Sequence, residues 1–121
     1  MKKNGTLSGH DIKRVQEAAQ ILAKYLSQNI TIKDLAGIVL LSEKKLKQGF
    51  KEEFEMGVHA YLRYLRLEKV KAMLIQDKPL KAIPKATGFK SESGLSKTFK
   101  KVVGVTPGEW KLNYQRLDRA V

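Results

Sequence analysis

Lys44, Lys47, Gln48 and Lys51 fall on one face when successive residues are placed about 100° apart, as in a helix. Further along the chain Ser93, Ser96, Lys97 and Lys100 do the same. All eight side chains offer hydrogen-bond donors, and neither face contains a carboxylate. Chemistry of this kind is recognition rather than bond-breaking. Its natural counterpart is a surface crowded with acceptors and negative charge, such as phosphate oxygens and the edges of base pairs. A single Lys-rich helix face is more often merely solvated. Here the face occurs twice, in the same setting.

That setting is an internal repeat. "SEKKLKQGFK" from Ser42 to Lys51 is echoed by "SESGLSKTFK" from Ser91 to Lys100. Upstream, Ile32, Leu35 and Val39 correspond to Leu80, Ile83 and Thr87. After one extra residue in the second turn, Leu46, Phe50 and Phe54 correspond to Leu95, Phe99 and Val103. Each unit reads as a short helix, a tight turn and a longer helix, the outline of a helix-turn-helix. The apolar triplet of each longer helix forms a stripe opposite its polar face, so the helix can dock on a core and present that face outward. This is the arrangement a major groove accepts.

The elements that position these faces are all helical. The prolines stand only at 79, 84 and 107, and no segment alternates apolar and polar residues long enough for a sheet. Ser8 followed by Asp11 predicts a capping box and a helix to about Ser27. Thr31 with Asp34 opens the short helix "IKDLAGIV", a turn follows at Leu40-Leu41, and Ser42 caps the next helix to about Phe54. The chain restarts near Gly57 with a long helix from about Val58 to Gln76, apolar on more than one face and therefore buried on two sides. The segment "DKP" ends it. The short helix "LKAIPKAT", a turn at Gly88-Phe89 and a helix capped by Ser91 complete the second unit. In "TPGEW", Thr106 is the N-cap, Pro107 takes the first helical position and Glu109 closes a capping box for the last helix. The expected fold class is all-α, with about seven helices.

Composition agrees with a polyanionic partner. Lys and Arg outnumber Asp and Glu 24 to 12, a formal net charge of +12, while 42% apolar residues suffice for a core. An anionic membrane surface is the second candidate by charge, but the apolar stripes are better used as core. No apolar run is long enough to span a bilayer and no signal peptide opens the chain, so a soluble, cytoplasmic protein is expected. Without cysteine there is no disulfide, Cys-ligated zinc or thiol nucleophile. His10 and His59 are too isolated to make a metal site, and no nucleophile–base set, carboxylate pair or phosphate-cradling loop stands out. No enzyme activity and no cofactor is expected. Trp110 with Tyr114, and Tyr61 with Tyr64, read as packing residues. Arg63 and Arg66 read as a solvated face with phosphate contact as the sharper alternative.

The residues quoted above resemble the C-terminal DNA-binding domain of the AraC/XylS family of bacterial transcription regulators. "ITIKDLAGIVLLSEKKLKQGFKEEFEMGVHAYLRYLRLEKVKAML" follows the family pattern, and "GFKSESGLSKTFKKVVGVTPGEW" carries its signature of Gly-Phe, a Ser-rich turn, Phe-Lys and Gly-x-Thr-Pro. The resemblance covers about residues 8 to 114. "HDIKRVQEAAQIL" and "LKQGFK" are most like regulators of siderophore uptake. The resemblance implies two helix-turn-helix subdomains joined by one long helix, bound to adjacent major-groove segments of double-stranded DNA.

By the same resemblance the base-reading positions are Lys44, Lys47 and Gln48 in the first unit and Glu92, Ser93, Ser96 and Lys97 in the second. Glu92 lies outside the faces chosen by helical geometry. In the first turn of its helix a carboxylate is stabilised by the dipole, and accepting from a cytosine amino group is the alternative. Ser42, Lys45, Lys51, Lys90, Ser91, Lys100 and Lys101 are expected to meet phosphates. Leu40 stands where the family's first turn carries Gly, so a left-handed conformation there is strained. Pro84 falls inside the second unit's short helix, where it kinks or shortens it. Gly49 and Gly94 weaken their helices, with close backbone approach as one reason to keep Gly49.

The expected division is a tail at 1–7, a first subdomain at 8–57, a linker helix at 58–76, a second subdomain at 77–115 and a C-terminal tail at 116–121. Expected partners are double-stranded DNA and RNA polymerase, without a membrane. The isolated domain is expected to be monomeric, and the ligand-sensing domain of most relatives is expected to be missing from this chain. Its function is expected to be sequence-specific transcription regulation; the alternative is a non-specific basic RNA- or nucleoid-binding protein, whose affinity would hardly change between sequences.

Overall fold

The computed structural model describes residues 7–120, and everything described is helix, turn or loop. Seven α-helices follow in order: α1 (Gly9–Lys24), α2 (Ile32–Val39), α3 (Glu43–Phe54), α4 (Val58–Ile75), α5 (Ile83–Thr87), α6 (Glu92–Val103) and α7 (Pro107–Ala120), with a 3₁₀ turn at Leu80–Ala82 leading into α5. The all-α, two-helix-turn-helix reading of the sequence holds. The chain forms two compact units, and the division falls inside α4, between Leu65 and Arg66, rather than at the two ends of a separate linker helix. Residues 1–6, most of the expected N-terminal tail, lie outside the described residues.

In the first unit α1, α2, α3 and the opening turns of α4 surround one core. Val15, Ala18, Ala19 and Leu22 come from α1, Leu35, Ala36 and Val39 from α2, Leu46 and Phe50 from α3, and Val58 from α4. Phe50, Phe54 and Tyr61 pack ring against ring, with centroids 4.6 to 5.5 Å apart, and fasten α3 to α4. Gly49 allows the closest approach: a Cβ there would run into the Val15 side chain on α1. In the second unit Leu67, Val70 and Leu74 of α4 pack with Ile83, Leu95 and Phe99. Trp110 of α7 closes that core edge-on to Phe99, at 6.3 Å between centroids, and Tyr114 stacks on Trp110 at 5.6 Å. Trp110 is therefore a packing residue. Tyr64, by contrast with Tyr61, is about half exposed.

Helix ends follow the capping chemistry where the sequence carries it. The Asp11 amide donates to Ser8 Oγ at 3.0 Å and the Ser8 amide donates back to Asp11 Oδ2 at 3.2 Å. Thr106 and Glu109 make the same reciprocal pair at 3.1 and 2.9 Å. Ser42 and Ser91 each accept one amide hydrogen bond, from Lys45 at 3.1 Å and Gly94 at 3.0 Å.

Three boundaries differ from expectation. α1 stops at Lys24 rather than Ser27, because Tyr25 leaves the helical region (φ −111°, ψ 46°) and the following Ser-Gln-Asn segment favours turns. α7 continues to Ala120, through the segment expected to be a tail, since Gln115 to Arg119 contains good helix formers and no Gly or Pro. The short helix of the second unit splits into the 3₁₀ turn and the five-residue α5. Pro84 sits in the first turn of α5, where its missing N–H would have lacked an intrahelical partner anyway.

Candidate nucleic-acid interface

Both longer helices dock as their stripes predict. Leu46 and Phe50 on α3, and Leu95 and Phe99 on α6, are fully buried, with Phe54 and Val103 partly so. That leaves the opposite faces outward. On α3, Lys44, Lys47 and Lys51 are exposed and Gln48 is half-buried; on α6, Glu92, Ser93, Lys97, Lys100 and Lys101 are exposed and Ser96 is half-buried. Lys90 is exposed in the turn before α6.

Local contacts refine individual positions. Gln48 Nε2 donates to Glu52 Oε2 at 3.1 Å, so a carboxylate one turn on orients the Gln48 amide. The four-residue spacing of this pair is visible in the sequence, although Glu52 was not among the expected site residues. Lys45 Nζ lies 3.2 Å from Asp11 Oδ2, so its ammonium is tied to α1. Ser42 and Ser91 spend their oxygens on helix caps, yet each hydroxyl hydrogen can still be donated to a phosphate. Glu92 occupies the first turn of α6, as the dipole favours.

The turns that aim the two helices are built differently. In the first, Leu40 is left-handed (φ 60°, ψ 42°) and the residue is 72% exposed. In the second, Gly88 takes the same region (φ 91°, ψ 4°). Arg14 Nη1 donates to the Val39 carbonyl at 2.9 Å beside the first turn, and the Arg66 guanidinium lies against the second. Burial holds the Arg66 guanidinium below its ordinary pKa. Neither role follows from local sequence, because both contacts join residues more than twenty positions apart. Among the described residues no group of three or more His, Cys, Asp or Glu is placed to hold a metal. No helix among them is long and apolar enough to cross a membrane.

A chain of two capped helix-turn-helix units is a DNA-binding-type fold, and comparison with known proteins narrows the class. The helix-turn-helix domain family matches residues 35–113. A "Putative AraC-like transcription regulator" of Streptomyces antibioticus is 32% identical over 109 residues, covering 89% of this chain and 36% of that protein. The C-terminal domain of AraT, a response regulator from Geobacillus stearothermophilus, superposes with a TM-score of 0.78 at 26% identity, covering 90% of this chain and 88% of that one. The DNA-binding domain of AdpA, solved in complex with a target DNA, shares the fold with a TM-score of 0.78 at 17% identity, over 85% of this chain and 94% of that one. The chain belongs to this helix-turn-helix domain family, and it is similar in sequence to AraC-like transcription regulators over the part of their length that it matches. It spans 34 to 43% of the length of the curated relatives it matches.

Proposed function

We propose that this chain binds double-stranded DNA sequence-specifically as part of a transcription regulator, with α3 and α6 as its recognition helices. The observation that carries the reading is the duplicated presentation. Two helices are held by equivalent buried stripes and Ser caps, and both turn hydrogen-bonding side chains outward on a chain of net charge +12. Lys44, Lys47 and Gln48 read base edges in one major-groove segment; Ser93, Ser96, Lys97 and, by its carboxylate, Glu92 read the other. Lys51, Lys90, Lys100 and Lys101, with the capping hydroxyls of Ser42 and Ser91, contact phosphates, and Lys45 joins them with an ammonium hydrogen left over from its pair with Asp11. The domain acts on an asymmetric site as a monomer, since both readers come from one chain, and RNA polymerase is the partner through which binding affects transcription.

Selection of bound sites from a random duplex pool tests this directly. A recurring asymmetric site is expected, and affinity for it should fall steeply with salt, with a log–log slope near −5 if roughly six phosphates are neutralised. Equal affinity for all duplexes would favour the non-specific reading, and a flat salt dependence would remove nucleic acid altogether.

A further inference from the structure

Asp11 and Arg14 lie three residues apart on α1 and so share one face of it. Asp11 completes a helix cap, a role that an exposed carboxylate fulfils equally well. Here it is buried and also pairs with Lys45, in the first turn of α3. Arg14 reaches the other side of the turn, donating to the Val39 carbonyl at the last residue of α2 while its Nε donates to His10 Nε2 at 3.0 Å. The Val39 carbonyl belongs to the group left without intrahelical donors, at the negative end of the α2 dipole. Lys45 stands at the positive end of α3, where a cation is unfavourable unless an anion sits beside it. Thus α1 sets a cation on the exit of α2 and an anion near the entry of α3. Between those points lies Leu40, the one residue of the turn held at positive φ without being glycine.

We propose that Asp11 and Arg14 are positioning residues for the first recognition helix: together they fix the direction in which α3 leaves the Leu40 turn. They touch no base themselves. Resting on the DNA-reading proposal above, the inference makes discrimination by Lys44, Lys47 and Gln48 depend on two residues of α1. Opposite charges separate this from a general electrostatic role. Asp11→Asn raises the net charge by one and Arg14→Gln lowers it by one, so simple attraction to phosphate would move overall affinity in opposite directions. As parts of one clamp, both variants should instead lower the ratio of specific to random-duplex binding, each by about fivefold to tenfold.

The experiment measures that ratio for the whole chain and, without DNA, amide exchange at Leu40 and Leu41, whose N–H groups bond Gly37 and Ala36 across the turn. Both amides should exchange about tenfold faster in either variant. Arg14→Lys, which still brings a cation to the Val39 carbonyl, should fall between Arg14→Gln and the parent, and serves if Arg14→Gln does not fold. Unchanged exchange in the variants overturns the clamp, as does faster exchange with an unchanged binding ratio. A parent chain with no preferred site overturns the DNA reading itself, and the positioning role with it.

Discussion

The Arg66 guanidinium fills the space that a side chain at Gly88 would need: Cζ, Nε and Nη2 each lie 2.7 Å from where the Cβ would be. Gly88 is also left-handed, at φ 91°, where an L-residue is strained. Its counterpart in the first repeat, Leu40, tolerates a similar backbone because its side chain projects into solvent. The repeat is therefore preserved in backbone shape while the residue differs, and the reason is what lies behind each turn.

Opposite signs follow for the two turns. Gly88→Ala should destabilise the chain by about 1–2 kcal/mol, from left-handed strain and displacement of Arg66. Leu40→Gly should be neutral to stabilising by up to about 0.5 kcal/mol, since relief of strain of roughly 1 kcal/mol is partly offset by the freer unfolded chain. Urea denaturation of both variants measures the difference. A less stable Leu40→Gly, or an indifferent Gly88→Ala, would contradict this account of the turns.

Gly49→Ala should cost about 1–3 kcal/mol, as overpacking does in a filled core. The methyl would meet Val15, a β-branched side chain with little rotamer freedom, across the α1–α3 contact. Helix propensity alone predicts the reverse sign, because Ala is the better helix former by roughly 1 kcal/mol. Pairing the change with Val15→Ala should recover part of the loss. A stabilised single variant would mean that α1 and α3 separate easily.

Much of this was legible in the sequence, and the boundary is physical. The stripes Leu46-Phe50-Phe54 and Leu95-Phe99-Val103 and the Ser8-Asp11 and Thr106-Glu109 boxes are local patterns governed by helical periodicity and capping, whereas the strain at Leu40 was legible only through the family resemblance. Packing of Arg66 under Gly88, the reach of Arg14 to Val39, and the capture of Lys45 by Asp11 depend on tertiary approach, which no local pattern encodes. Helix ends without Gly or Pro were also hidden: nothing in "KYLSQN" marks Tyr25 as the exit, and nothing in "QRLDRA" stops α7.

Acid should weaken the fold through two capping carboxylates. Asp11 is held below the ordinary carboxylate range first by the Ser8 amide and further by Lys45; Glu109 is held low by the Thr106 amide and hydroxyl and by Lys100. In the unfolded chain these groups take up protons near their ordinary values, about 3.9 and 4.3. Their stabilisation is thus complete above that range and is lost as pH falls through the lower folded values. Asp11→Asn and Glu109→Gln should each flatten the fall of stability below about pH 4, with little change in slope near neutrality. Thermal unfolding followed from pH 7 to 2 gives the comparison. An acid limb as steep in both variants as in the parent would assign the loss to other carboxylates.

On the DNA-reading proposal, the two recognition helices should specify separate blocks of the binding site. Lys47→Ala and Gln48→Ala should relax preference in one block, by about 1–3 kcal/mol for a bidentate contact. Ser96→Ala and Lys97→Ala should relax the other. Lys51→Ala and Lys101→Ala, on phosphates, should weaken all sequences alike and reduce the salt slope by about one each. The first block should carry more of the specificity. Its α2 support is an eight-residue helix, whereas α5 is five residues entered through a 3₁₀ turn, and Ser96 offers a shorter reach than Gln48. Glu52→Ala sharpens the test: with its carboxylate gone the Gln48 amide loses an orienting partner, and only the first block should blur. Site selection with each variant reads out the blocks. Substitutions in α3 and α6 that blur the same positions would defeat the two-reader arrangement, and dominance by α6 variants would reverse the ranking.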